Sequence, residues 1–84
     1  MARVLKANGS THEELPQKGQ VWRLSQLQEW VGGYIELVYQ DDYGIVYANE
    51  EGLLQGLPLN KEATALFGKS LVGDVVYLEH GEYD

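Results

Sequence analysis

The sequence predicts an α+β fold: a two-layer domain built on a mainly antiparallel sheet of four to five strands, with two short helices on one face. Three observations predict it. Strand-like alternation recurs in short stretches, most clearly over residues 34–40. Tight turn signals separate them, Asn8-Gly9 and Asp41-Asp42-Tyr43-Gly44 among them, and these favour hairpins over long crossovers. Helical spacing occurs in two segments, each closed by glycine. At 84 residues a single domain spans 1–84, and a chain of this size buries only about 60–65% of the surface its unfolded form exposes.

Residues 3–6, with Val4 and Leu5, form the first expected strand. The Asn8-Gly9 turn returns the chain as a second strand over 11–15, which Pro16 ends because proline cannot donate to a ladder. Residues 17–20 read as a loop. A first helix is expected over 25–31, with Ser25 as N-cap and Gln28 completing a capping box, Leu24, Leu27 and Val31 recurring at helical spacing with Trp30 beside them, and Gly32 as a left-handed stop. Residues 34–40 then alternate. Ile35, Leu37 and Tyr39 point one way, and Tyr34, Glu36, Val38 and Gln40 the other. A hairpin brings residues 45–48 back beside them. Asn60 caps a second helix over 61–67, with Ala63, Leu66 and Phe67 on one face and Gly68 at its end. The last strand is 74–79, and residues 80–84 read as a frayed polar tail.

Thirteen acidic residues oppose six Lys and Arg, for a net charge of -7. Such a surface repels phosphate backbones, so no direct nucleic-acid binding is expected. The charge suits either plain solubility or the basic groove of another protein. With no Cys, disulfides, thiolate chemistry and Cys-type zinc sites are excluded. Apolar runs fall far short of a membrane span, and no signal peptide is read at the N-terminus, so a cytoplasmic protein without membrane contact is expected.

Catalytic motifs are not found. Gly68-Lys69-Ser70 resembles the end of a phosphate loop, but Ala63 stands where the first glycine belongs, and the segment follows a helix. The hydroxyls of Ser10, Ser25 and Ser70 and the imidazoles of His12 and His80 do not form a nucleophile pattern. Asp41, Asp42, Glu50 and Glu51 occupy two successive turns and could converge on a divalent cation, but they lack the alternation of a calcium loop. No cofactor is expected.

The aromatic residues are more informative. Six Tyr, two Trp and one Phe make 11% of the chain. Two helices can cover one sheet face, which leaves Tyr34, Glu36, Val38, Val75, Tyr77 and Glu79 on the other. A tyrosine ring packs while its hydroxyl stays wet, so this mixture reads as a contact surface.

The run Asn49-Glu50-Glu51-Gly52-Leu53-Leu54-Gln55-Gly56-Leu57-Pro58-Leu59-Asn60 is followed by Ala63-Thr64-Ala65-Leu66-Phe67-Gly68 and Leu71-Val72-Gly73-Asp74-Val75-Val76. With the early Val31-Gly32-Gly33-Tyr34-Ile35-Glu36-Leu37-Val38, these segments resemble the domain-of-unknown-function 3846 family over nearly the whole chain. The resemblance implies a small cytoplasmic protein of phages and other mobile elements, and no reaction. Physically, Leu53, Leu54 and Leu57 are expected to enter the core, Pro58 to stiffen the approach to the helix, and Asn60 to cap it. Asn49, Glu50 and Glu51 have no core role in this reading and become contact candidates.

The expected function is therefore that of a non-enzymatic accessory protein that binds and inhibits a host macromolecule in counter-defence, such as a nuclease or defence complex with a basic groove. Its contact candidates are Tyr34, Glu36, Val38, Asn49, Glu50, Glu51, Tyr77 and Glu79. Two alternatives stand beside it: an oligomeric sponge for a nucleotide signal, and a self-associating structural domain, a homodimer in its simplest form.

Overall fold

The computed structural model describes residues 1–15 and 21–82. The expected strand stop at Pro16, the loop at 17–20 and the end of the tail lie outside them. Seven elements follow in order: β1 (Ala2–Leu5), β2 (Thr11–Glu14), α1 (Leu24–Val31), β3 (Ile35–Gln40), β4 (Gly44–Asn49), α2 (Lys61–Phe67) and β5 (Val75–Glu79). The strands form one antiparallel sheet in the order β2-β1-β5-β4-β3. The α+β class and the five antiparallel strands are as the sequence predicts.

The layering differs. α1 packs Leu27 and Val31 onto Ala2, Val4, Val76 and Leu78. α2 packs Ala63 onto Leu5, Val46, Ala48 and Val75. Neighbours along a strand point to opposite faces, so Val4 and Leu5, or Val75 and Val76, belong to different sides. The helices therefore lie on opposite faces, and the domain has three layers rather than two. The physical reason is the pattern at the sheet centre. Val75 and Val76 are both fully buried, and so are Val4 and Leu5. A middle strand apolar on both sides needs cover on both sides.

Each helix is closed as glycine allows. Gly32 (φ 78°) and Gly68 (φ 72°) adopt the left-handed conformation and return their N–H groups to Gln28 and Thr64 carbonyls. The starts differ. Asn60 Oδ1 accepts the Ala63 N–H, and its Nδ2 donates to the carbonyls of Leu5 and Gly73, at 2.8 and 2.9 Å. One buried amide thus ties α2 to β1 and to the approach of β5. Ser25, by contrast, is not a cap. α1 begins one residue earlier, with Arg23 at the cap position and no side-chain bond there.

The tail through residue 82 is anchored rather than frayed. Glu82 is buried, its carboxylate accepts the Glu79 N–H at 2.8 Å and pairs with the Met1 ammonium, and its carbonyl accepts the Trp22 N–H.

Candidate binding face

The face under α2 carries two concave features. α2 is seven residues long and only Ala63 is buried in it. A methyl-sized contact lets the helix sit close to the sheet but covers a narrow strip. Phe67 extends the cover by packing on Tyr39 (ring centroids 5.0 Å apart) and lying parallel to Tyr77 (6.0 Å). On either side of this strip the face is concave.

The larger hollow, of 380 Å³, lies beyond the segment that leaves α2. Leu71, Val72 and Ser70 form one wall. Val38 and Ala48 form the floor, with Glu36 and Glu50 at the rim. Leu53 and Leu54 stand on the third side, 83% and 86% exposed. Their exposure corrects the expectation that they enter the core. The loop is held by its backbone: Leu57 N–H donates to Gly52 O, and Gln55 N–H to Glu51 O. Gly52 itself is buried against Val72, where a Cβ would come within 2.8 Å of a valine methyl. The glycine occupies the inward position, so the two leucines after it turn outward.

Asn49 sets this loop. Its Oδ1 accepts the Glu51 N–H at 2.8 Å, and its Nδ2 donates to Val31 O and Gln55 Oε1. It is buried, 7% exposed, so it has the structural role that the sequence reading did not find. Glu50 and Glu51 are exposed.

The smaller hollow, of 240 Å³, lies on the other side of α2. Leu5 and Tyr77 line its base, with Phe67 and Leu66 on the helix side. Tyr39, Asp41 and Arg3 complete it. Asp41 is committed to its own hairpin. It accepts the Tyr43 N–H first, then that of Gly44, with the Tyr39 hydroxyl and His80 adding to the effect, and these hold the carboxyl below its ordinary 3.8 against partial desolvation. Burial, and then the charges of Asp41 and Glu79, push the Tyr77 phenol above its ordinary 10.0. Gly44 makes room for that ring, since a Cβ there would lie 2.7 Å from the Tyr77 phenol carbon and hydroxyl.

The predicted contact residues are therefore divided. Glu36, Val38 and Glu50 meet at the larger hollow. Tyr77 is half-buried in the apolar cluster beneath α2 and belongs to the smaller one. Tyr34, 66% exposed, precedes β3 and accepts the Glu50 N–H through its carbonyl. Glu79 lies at the end of β5 beside the Met1 ammonium, at 3.2 Å. Val75 is fully buried under α2 and is no surface residue.

The two acidic turns do not meet. Asp41 and Asp42 precede β4 and Glu50 and Glu51 follow it, and six extended residues separate them by about 20 Å. Among the described residues no group of three or more His, Cys, Asp or Glu is placed to hold a metal ion. Gly68 is the α2 cap, and Lys69 donates to Val38 O at 3.0 Å on the outer strand β3. The Gly-Lys-Ser resemblance is thus accounted for as a helix end and a strand-edge contact.

A family model described as a domain of unknown function, DUF3846, matches residues 2–84. The chain belongs to the DUF3846 family. The match takes in the Asn49 to Asn60 run, whose glycine, asparagines and exposed leucines build the larger hollow and its approach to α2. No curated protein and no solved structure matches the chain. Among the described residues no helix is long and apolar enough to cross a membrane.

Proposed function

We propose that this DUF3846 protein is a non-enzymatic binding module that engages another protein through the larger hollow on its α2 face. The observation that carries the reading is the exposed pair Leu53-Leu54 standing beside an apolar hollow with Glu36 and Glu50 at its rim. Exposed leucines at a concave site supply buried area when a partner docks, and acidic rims select the partner. The partner that fits is a protein segment with apolar residues flanked by Lys or Arg. The net charge of -7 adds long-range attraction for such a surface.

The cellular setting is part of the proposal: a mobile-element accessory protein in the host cytoplasm that occupies a basic surface on a nuclease or defence complex and blocks it. The test uses synthetic peptides carrying a leucine or phenylalanine pair, flanked by Lys and Arg in one set and by Glu in the other. Fluorescence polarisation should show binding to the basic set, weakening steeply as salt rises, and loss of it in Leu53→Asp/Leu54→Asp. Equal binding of both sets, or full binding by the double variant, would contradict the reading.

A further inference from the structure

The smaller hollow is separate from the leucine site and has its own chemistry. Its size comes first. At 240 Å³ it is below the roughly 300–1,000 Å³ of sites that take drug-sized ligands. It suits one ring and one small substituent. Its surfaces come second. Phe67, Tyr39 and Tyr77 give it three aromatic rings, and Leu5 and Leu66 supply aliphatic contact. Such walls favour a flat apolar ring, packed offset or edge-on against them.

The third point is which charge remains available. The hollow holds one carboxylate and one guanidinium, Asp41 and Arg3. Asp41 Oδ1 already accepts two backbone N–H groups, at 2.8 and 2.9 Å, and Oδ2 faces the Tyr39 hydroxyl. Its oxygens are committed to the β3–β4 hairpin, while its charge still acts on the Tyr77 phenol within the hollow. Arg3 lies opposite Tyr77 in the β1–β5 register, which sets its side chain on the same face as that ring. Among the described residues it makes one bond, to Glu13 at 3.3 Å, between two side chains that are each about half exposed. An exposed pair of this kind holds its partners only weakly. A guanidinium offers five donors in a planar fork, so most of Arg3 is left for a ligand.

We propose that the hollow between α2 and the β3–β4 hairpin binds a single aromatic ring bearing one anionic group, with the ring against Phe67 and Tyr77 and the anion on Arg3. Aryl carboxylates carry this chemistry. The geometry is independent of Leu53 and Leu54, so the site can stand or fall without the protein-binding reading.

The experiment is an amide-resolved NMR titration of the whole chain with benzoate and benzamide as probes. Benzoate should shift the amides of Arg3, Tyr39, Phe67 and Tyr77 saturably. Benzamide, the same ring without charge, should bind at least about tenfold more weakly, as expected for loss of a charge-assisted bond. Arg3→Gln should remove that preference while leaving the spectrum folded, and Leu53→Ser should change nothing. No saturable shift by any probe up to about 10 mM, a limit corresponding to only a few kcal/mol of binding, would overturn the proposal. Equal affinity for benzoate and benzamide, or an Arg3→Gln protein that still prefers the anion, would overturn it as well.

Discussion

The two faces of the sheet are built from equally apolar strands but are closed to different degrees. On the α1 face an eight-residue helix buries Leu27 and Val31, and Trp22 and Trp30, in edge-on contact at 4.8 Å, extend the cover. On the α2 face a seven-residue helix buries one alanine, and the rest of its contact passes through the half-buried Phe67. Large side chains fill the first interface. The second is narrow, and hollows flank it on both sides. The difference teaches that cover, not strand hydrophobicity, decides where a small domain can bind. The α1 face is committed to stability, and the α2 face divides its residues between stability and contact.

Substitutions can break or sharpen this division. The largest effect is expected on the closed face. Leu27→Ala removes a fully buried side chain with little room to collapse and should cost about 3–4 kcal/mol, read from chemical denaturation. Asn60→Ala should come next, at about 2–3 kcal/mol, because it removes a cap and strands the buried carbonyls of Leu5 and Gly73. A cost near that of an ordinary surface substitution would show that α2 is dispensable, and the comparison would fail. Tyr77→Ala should cost about 2 kcal/mol through lost packing on Phe67 and Gly44, with Tyr77→Phe nearly neutral. Leu53→Ser with Leu54→Ser should shift stability by less than about 0.5 kcal/mol while weakening peptide binding. A large loss of stability there would return the leucines to the core.

The smallest effect concerns pH. Because Asp41 titrates below its ordinary 3.8 in the fold, its contribution is present above that value and is lost as pH falls through the lower folded value. Melting temperatures of wild type and Asp41→Asn should differ at neutral pH and converge in strong acid. A difference that stays constant through the acid range would mean that the carboxylate does not brace the hairpin.

The strands, their antiparallel character and the Asn60 and glycine caps were legible in the sequence because each rests on a local rule of spacing or backbone conformation. The alternation that separates Leu37 from Glu36, or Val76 from Tyr77, was legible for the same reason, but a bulge between Leu37 and Tyr39 turns Tyr39 to the α2 face with Val38, against the expectation that it points with Ile35 and Leu37. Which helix covers which face was not. That depends on the path of the chain between elements, although the adjacent apolar pairs Val4-Leu5 and Val75-Val76 did carry the signal of a sheet buried on both sides. Leu53 and Leu54 were misread because hydrophobicity alone sends leucine inward. The decisive group was their glycine neighbour, whose backbone fills the space against Val72. Asn49 was missed because an asparagine after a strand looks like an exposed turn residue until its three partners are brought together by the fold.

Contact belongs, on this reading, to the α2 face and its exposed leucine loop. Amide-resolved NMR titration with a leucine-pair peptide flanked by Lys and Arg tests it most directly. The account predicts shifts at residues 36, 38, 50–54 and 70–72, with the amides of α1 unchanged. Shifts confined to α1 and the strand residues beneath it, or none at all, would contradict it.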